Sequence, residues 1–260
     1  MRERQLVLVT NDDGIDSEGL RSLARSLNDL FDVIVAAPAA DMSGAGTGIG
    51  RFDHAAGVKL TPIDLDFADK GFSLDGPPGL AVTAAALGAF GEIPDLVFSG
   101  INQGINTGHS IIHSGTVGAA LTANTFDMKG VAISLAKSDP WQFGTAAYVA
   151  PSIASWITSV ENGPSVLNVN VPGLPLDEVR GVHWADLDEF GYFNVATADP
   201  EGGRLSFVVG PRVDRSDPAS DTVLCAEGFV TITPLRTVEP ATFPAVEARE
   251  LVKLPVEVSS

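Results

Sequence analysis

The sequence predicts an α/β fold, a Rossmann-like and mainly parallel sheet with helices on both faces. Short, wholly apolar runs rich in Val, Ile and Leu recur along the first two thirds of the 260-residue chain. Segments with apolar residues at helical spacing separate these runs. Strands that are apolar on both faces are typical of parallel sheets covered by helices on both sides. We expect a single domain over residues 1–260, with a core to about residue 172 and a strand-rich extension over 173–260.

The first unit is a strand over Leu6–Thr10 and a helix whose start is marked by Asp16 and Ser17, good N-cap residues with acid in the first turn. Further strands are predicted at residues 33–37, 96–99, 131–135 and 166–171, and further helices at 78–89, 116–126 and 143–160. Beyond Pro172, Gly, Pro and Asp dominate. Candidate strands lie there at residues 204–209 and 229–233, and the region shows no strong helical period.

Composition excludes several classes of partner. The formal net charge is -17, so binding to a nucleic-acid polymer or to an anionic membrane surface is not expected. No apolar run reaches the ~20 residues of a transmembrane helix. Cys225 is the single cysteine, and the apolar run at the N-terminus is too short for a signal peptide. These features predict a cytoplasmic protein.

An acidic pair, Asp12 and Asp13, directly follows the first strand in the sequence VTNDDGIDSEGL. The carboxyl ends of parallel strands are where such sheets bind ligands. Adjacent carboxylates repel each other unless a cation lies between them, so the pair predicts a site for a hard divalent ion such as Mg²⁺ or Mn²⁺. The alternative is that both residues only cap the next helix or shape a turn with Gly14.

A second motif, SGINQGINTGHSIIHSGTVGAA over residues 99–120, follows another predicted strand. Its glycines allow the backbone to approach an anion, and Asn102 and Asn106 offer neutral oxygen ligands. The run Ser114, Gly115, Thr116 opens a helix whose free N–H groups and dipole suit a phosphate. We interpret the segment as a phosphate cradle, although it is neither a Walker A nor a GxGxxG motif.

A third segment, AAPAADMSGAGTGIG over residues 36–50, lies at the same edge of the predicted sheet. Ser43 in this loop can contribute a hydroxyl to the same centre. By itself the segment is indistinguishable from an ordinary surface loop, so the prediction for Ser43 depends on the other two motifs.

These motifs, followed by VLNVNVP and ITPL, resemble in their order the SurE family of stationary-phase survival nucleotidases over residues 6–235. The resemblance implies a metal-dependent 5′/3′-nucleotidase that hydrolyses nucleoside monophosphates, with one divalent ion per subunit. It also implies a homodimer or homotetramer in which C-terminal segments are exchanged between subunits. The family's metal ligands fall on Asp12, Asp13, Ser43 and Asn102, and its phosphate contacts fall on Asn11, Ser114, Gly115 and Thr116.

The chain departs from the family pattern around the substrate. Residues 39–42 read AADM, without the Arg or Lys that is usual there, and residues 76–82 read GPPGLAV. His113 replaces a usual tyrosine, and His109 replaces what is often an acid. Two histidines can restore positive charge at mildly acidic pH. The changes leave the metal centre intact and alter the pocket for base and sugar.

The leading hypothesis is metal-assisted hydrolysis of a phosphomonoester, in which Asp12 and Asp13 carry the chemistry. Water can attack phosphorus directly, or Asp12 can first accept the phosphoryl group; the sequence leaves both routes open. One alternative is a diverged family member that acts on another phosphorylated metabolite or binds a ligand without turnover. Another is a signalling receiver domain that uses Lys137, which the length of the chain disfavours. Haloacid-dehalogenase chemistry needs Asp-x-Asp rather than adjacent aspartates.

Overall fold

The computed structural model describes residues 4–50, 57–189, 193–199, 202–209 and 217–238. Its strands are β1 (Leu6–Thr10), β2 (Asp32–Pro38), β3 (Leu60–Ile63), β4 (Lys70–Leu74), β5 (Leu96–Gln103), β6 (Lys129–Leu135), β7 (Val166–Val171), β8 (Val182–Trp184), β9 (Phe193–Asp199), β10 (Arg204–Val209) and β11 (Val230–Leu235). Its helices are α1 (Glu18–Leu27), α2 (Pro78–Ala86), α3 (Gly115–Asn124), α4 (Phe143–Ser159) and α5 (Asp221–Ala226). Two 3₁₀ helices cover Gly108–His113 and Leu176–Glu178.

Nine strands form one sheet in the order β3-β4-β2-β1-β5-β6-β7-β11-β8. The central run from β4 to β7 is parallel, whereas β3 and β11 are antiparallel to their neighbours β4 and β7. The chain moves from β1 to β2 on one side and returns through β5 on the other, which is the kind of switch point where α/β sheets bind ligands. The predicted α/β fold is confirmed.

Helices cover both faces of the sheet. On one face, Leu20 and Leu23 of α1 and Ile157 of α4 pack in one cluster with the odd-numbered residues Val7 and Val9 of β1. On the other face, α2 and α3 pack against the even-numbered side, where Leu8 contributes to a second cluster. This alternation follows from the two-residue period of a strand. Since helices cover both faces of the sheet, a ligand can reach the sheet only at the ends of its strands.

Close packing sets the position of α3. A Cβ added to Gly118 would lie 2.1 Å from the carbonyl oxygen of Gly46, and one added to Gly130 would lie 2.2 Å from that of Ala120. Only glycine permits these approaches, so α3 lies against both the loop after β2 and strand β6. The helix is thereby held with its N-terminus at the carboxyl edge of the sheet.

The C-terminal region contains the expected strands but also a helix. Strands β8 and β11 extend the main sheet, and β9 and β10 pair with each other as a separate antiparallel sheet. The helix is α5, which follows Ser220, whose side chain accepts the N–H of Val223. At six residues, α5 is too short to show a helical period. Exchange of these segments between subunits stays a prediction.

Four strands were not predicted: β3, β4, β8 and β9. Strands β3 and β4 lie at one edge of the sheet, and their sequences LTPI and KGFSL have no continuous apolar run. Exposed residues account for this, since three of the four residues of β3 face solvent. An edge strand needs apolar residues on one side at most, so its pattern is weak.

Candidate active site

A cavity of about 240 Å³ opens at the carboxyl edge of the sheet, where the loops after β2, β1 and β5 meet. It is lined by Asp12, Asp13, Ser43, Gly44, Asn102, Gln103, Gly104, Ile105, Asn106, Ser110, His113 and Ser114. All four predicted metal ligands and one of the predicted phosphate contacts therefore lie around a single cavity. None of the described residues that line it is Lys or Arg.

Asp12 is nearly buried, with 3 % of its surface exposed. Its carboxylate accepts a hydrogen bond from the Thr116 hydroxyl of α3, and its backbone carbonyl accepts the N–H of Met42 at 2.7 Å. Burial raises the pKa of Asp12, although the hydrogen bond from Thr116 opposes that rise. The residue therefore joins three segments: the end of β1, the loop after β2 and the start of α3.

Asp13 lies beside Asp12 and is only partly exposed. Burial, followed by the negative charges of Asp12 and Asp41, raises its pKa to about 6. Its Oδ2 atom is buried and has no hydrogen-bond partner. A buried carboxylate oxygen without a partner is costly, and a cation held between Asp12 and Asp13 would satisfy it.

Asn11 differs from its expected role as a phosphate contact. The residue is fully buried, and its side chain donates to the Gly14 carbonyl at 3.1 Å and to Ser17 Oγ at 2.6 Å. Its Oδ1 accepts the N–H of Gly14 at 3.2 Å. Since Ser17 also caps α1, the side chain of Asn11 is committed to fixing the turn that presents the acidic pair.

Ser43 lies on the exposed part of the loop after β2. Its hydroxyl donates to Asp41 Oδ1 at 2.6 Å, and its backbone N–H donates to the same oxygen at 2.8 Å. These two hydrogen bonds lower the pKa of Asp41. Because the Ser43 proton points to Asp41, the lone pairs of its oxygen are the atoms left for a cation.

Asn102 follows the buried part of β5 and is half-buried. Its side-chain nitrogen donates to the Gly104 carbonyl at 2.7 Å. With the nitrogen used in this way, the side chain offers its carbonyl oxygen to the cavity. That oxygen, the Ser43 hydroxyl and the two carboxylates form an all-oxygen set of the type that Mg²⁺ and Mn²⁺ prefer.

The segment Ser114, Gly115, Thr116 begins α3. The Ser114 side chain accepts the N–H of Val117 at 3.2 Å and lines the cavity. A Cβ added to Gly115 would lie 2.7 Å from Asp12 Oδ2, so Asp12 packs directly against the helix N-terminus. The Thr116 hydroxyl is used by Asp12 and is fully buried, which differs from the expectation that it contacts phosphate.

The two histidines singled out in the sequence lie in different places. His113 lines the cavity. His109 does not, and its backbone N–H donates to the carbonyl of Asp188 at 3.1 Å. Both belong to the 3₁₀ helix Gly108–His113, of which Ser110 and His113 line the cavity.

Sequence reasoning missed Asp41 as part of the site. In the sequence, Asp41 stood out only as part of a loop that lacks the usual Arg or Lys. In the structure, its negative charge helps to raise the pKa of Asp13. The signal in the sequence was its position two residues before Ser43, a spacing at which Asp commonly accepts a local hydrogen bond.

A larger cavity of about 740 Å³ lies at the opposite, amino-end edge of the sheet. Trp156 and Trp184, whose rings are 5.3 Å apart, line it together with Leu235. None of the described residues that line it carries a carboxylate, whereas the smaller cavity holds Asp12 and Asp13. Lys137, proposed for the receiver-domain alternative, borders a third cavity beside Cys225 and is not grouped with the acidic pair.

The fold and the site define an α/β protein with an acidic, all-oxygen centre at a helix N-terminus. A family model described as "Survival protein SurE" matches residues 7–193. The chain is 38% identical over 236 residues to "5'-nucleotidase SurE" of Halorhodospira halophila, covering 88% of this chain and 91% of that protein. It is 37% identical over 238 residues to the protein of the same name from Methylococcus capsulatus, covering 88% and 90%.

A solved structure is also similar: the SurE protein from Aquifex aeolicus, with a TM-score of 0.75, 29% identity and coverage of 89% of this chain and 93% of that one. The chain belongs to the SurE family. This assignment sets aside the receiver-domain and haloacid-dehalogenase alternatives. Within the part of the chain that the structure describes, no helix is both long and apolar enough to cross a membrane.

Proposed function

We propose that this protein is a divalent-metal-dependent phosphomonoesterase that hydrolyses nucleoside monophosphates to nucleoside and phosphate. The observation that carries the proposal is the contact of Asp12 with the N-terminus of α3, through Gly115 and Thr116. It brings a cation site and an anion site against each other. The names of the relatives from Halorhodospira halophila and Methylococcus capsulatus, both 5'-nucleotidases, support the substrate class.

One Mg²⁺ or Mn²⁺ ion per subunit is proposed, held by Asp12, Asp13, Ser43 and Asn102. The unpartnered Oδ2 of Asp13 and the all-oxygen donor set fit such an ion. When bound, the ion supplies charge for the phosphoryl oxygens and acidity for a water molecule. Among the described residues, no group of three or more His, Cys, Asp or Glu is placed to hold a metal.

The other residues bind and orient the substrate. The free N–H groups at the start of α3 and the Ser114 side chain hold the phosphate, because helix N-termini favour anions. Gly115 keeps the helix start close to Asp12, since any side chain there would occupy the space of the carboxylate. Thr116 fixes the Asp12 carboxylate through its hydrogen bond, and Asn11 fixes the turn that carries Asp12 and Asp13.

His113 lines the cavity and carries ring nitrogens that can hydrogen-bond to a phosphate oxygen. The proposed contacts to the phosphate are therefore the backbone amides at the start of α3, the cation and His113. A leaving nucleoside oxygen needs a proton, and His113 is placed at the cavity to provide it.

The experiment that tests this function is phosphate release from nucleoside 5′- and 3′-monophosphates and an aryl phosphate, each with Mg²⁺, Mn²⁺ or chelator. Asp12→Asn is the control, because it removes activity whether water or Asp12 attacks phosphorus. Metal-dependent release that is lost in Asp12→Asn supports the proposal. Bound metal with no release from any substrate would favour the alternative, a diverged member that binds a ligand without turnover.

A homodimer or homotetramer and a cytoplasmic location accompany this proposal as predictions. The oligomer is tested by light scattering of the intact protein.

A further inference from the structure

A second carboxylate cluster lies behind the cavity, between the C-terminal segment and the loop that ends at Ser114. Asp221 is fully buried and Asp188 is 1 % exposed. The Asp221 carboxylate accepts the backbone N–H groups of Gly108 at 3.0 Å, Asp188 at 3.0 Å and Thr222 at 2.8 Å. Asp188 accepts the hydroxyl of Ser220 at 3.1 Å. The carboxylate of Asp221 therefore joins three separate segments.

Gly108 starts the 3₁₀ helix Gly108–His113, which leads directly into Ser114 at the start of α3. Two residues earlier, Asn106 is held by β6 and β7: its N–H donates to Asn170 at 2.8 Å, and its side chain donates to Ser134 at 2.8 Å. Its carbonyl accepts the side chains of Asn168 and Asn170. The segment between these points carries Ser110 and His113 into the cavity.

Capping of α5 does not account for the buried carboxylate of Asp221. Ser220 already caps α5, so Asp221 is not needed for that purpose. Burial raises the pKa of Asp221 to about 6, and three backbone N–H groups act against this rise. A carboxylate kept in such an environment is costly unless its hydrogen bonds serve a purpose. Two of these bonds cross to other segments, at Gly108 and Asp188, and the one to Gly108 reaches the helix that carries His113.

We propose that Asp221 is a positioning residue: through the N–H of Gly108 it fixes the helix that carries His113 and leads to Ser114, and so sets the geometry of phosphate binding. The inference rests on the proposed function, because it assigns phosphate binding to this segment. It does not act on the cation directly, since Asp12, Asp13 and Ser43 belong to other loops and Asn102 lies within β5.

The test compares Asp221→Ala, Asp221→Asn and the control Cys225→Ala. Cys225 is buried on the same helix, so its truncation destabilises α5 without removing the bond to Gly108. For Asp221→Ala we expect KM for a nucleoside monophosphate to rise, with kcat/KM falling by up to about 100-fold, as small misplacements do. Asp221→Asn keeps an oxygen acceptor for the N–H of Gly108, so we expect its KM to lie close to the wild-type value. The Mn²⁺ affinity, measured by calorimetry, stays at the wild-type value in all three proteins.

An unchanged KM in Asp221→Ala overturns the inference. It is also overturned if Cys225→Ala lowers Tm as much as Asp221→Ala does and raises KM by the same factor. If Asp221→Ala does not fold, Asp221→Ser, which cannot reach Gly108, takes its place. If the wild-type protein hydrolyses nothing, the proposed function fails. Binding of inorganic phosphate with Mn²⁺ then tests positioning: loss in Asp221→Ala with recovery in Asp221→Asn supports it, and equal binding in all variants contradicts it.

Discussion

The Thr116 hydroxyl donates a hydrogen bond to the Asp12 carboxylate, joining residues 104 positions apart in the chain. A partner that orients a ligating carboxylate is worth about 10–100-fold in metal affinity or activity. We therefore expect Thr116→Val to lose activity by about that factor and Thr116→Ser to retain it. Steady-state rates at saturating and limiting Mn²⁺ measure the effect. Equal rates in the Val and Ser variants would show that the hydroxyl has no such role.

Gly115 gives a second test, based on space. In Gly115→Ala the new methyl group would lie 2.7 Å from Asp12 Oδ2, so either the carboxylate or the helix start has to move. We expect a loss of about 100-fold in kcat/KM, because the reacting groups are misplaced. Gly144→Ala is the matched control, since a Cβ there has nothing within 4 Å. Similar activity in the two variants would contradict the packing of Asp12 against α3.

Asp13 makes the stability of the metal-free protein depend on pH. Its pKa rises from 3.8 to about 6 on folding, so the folded state binds the proton more tightly than the unfolded state. The contribution to the free energy of unfolding is therefore fully present below pH 4 and is lost as the pH rises through 6. At pH 7.5 the ionised carboxylate destabilises the metal-free fold.

Asp13→Asn removes this penalty. In chelator at pH 7.5 we expect the variant to be more stable than wild type by about 1 kcal/mol, a value reduced for solvent screening of a partly exposed group. This corresponds to a rise in Tm of about 2–4 °C. The difference should shrink as the pH falls toward 4, and thermal melts at several pH values measure it. A variant less stable than wild type at pH 7.5 would show that the carboxylate is not strained.

The two histidines form a matched pair for substrate binding. His113 lines the cavity and His109 does not. His113→Ala should raise KM for a nucleoside monophosphate by about 10-fold, because it removes a hydrogen bond to the phosphate. His109→Ala should leave KM unchanged. If both variants behave alike, the cavity-facing position of His113 has no bearing on the phosphate.

Sequence patterns predicted the central sheet well. Strand β7 was predicted at its observed bounds, because VLNVNV is buried along its whole length. The prediction for β5 ended at residue 99, whereas the strand continues to Gln103, because Gly100 and the polar residues after it do not fit a strand pattern. Strands β3 and β4 were missed since an exposed edge places little demand on sequence.

For the site, the residue types at strand ends predicted which loops meet, and the cavity brings together Asp12, Asp13, Ser43 and Asn102. Their roles as ligands stay predictions. The sequence did not predict where individual side chains point. Asn11 and Thr116 hydrogen-bond to neighbouring residues of the protein. Such choices depend on contacts between distant segments, which spacing along the chain does not encode.

Every proposed metal ligand and phosphate contact precedes residue 117, whereas the groups that brace the phosphate segment, Asn168, Asn170 and Asp221, come later in the chain. A ribosome therefore releases the complete set of reactive groups long before the residues that hold them in place. On the roles proposed for these residues, the phosphate segment gains its last brace only when residue 221 has been made.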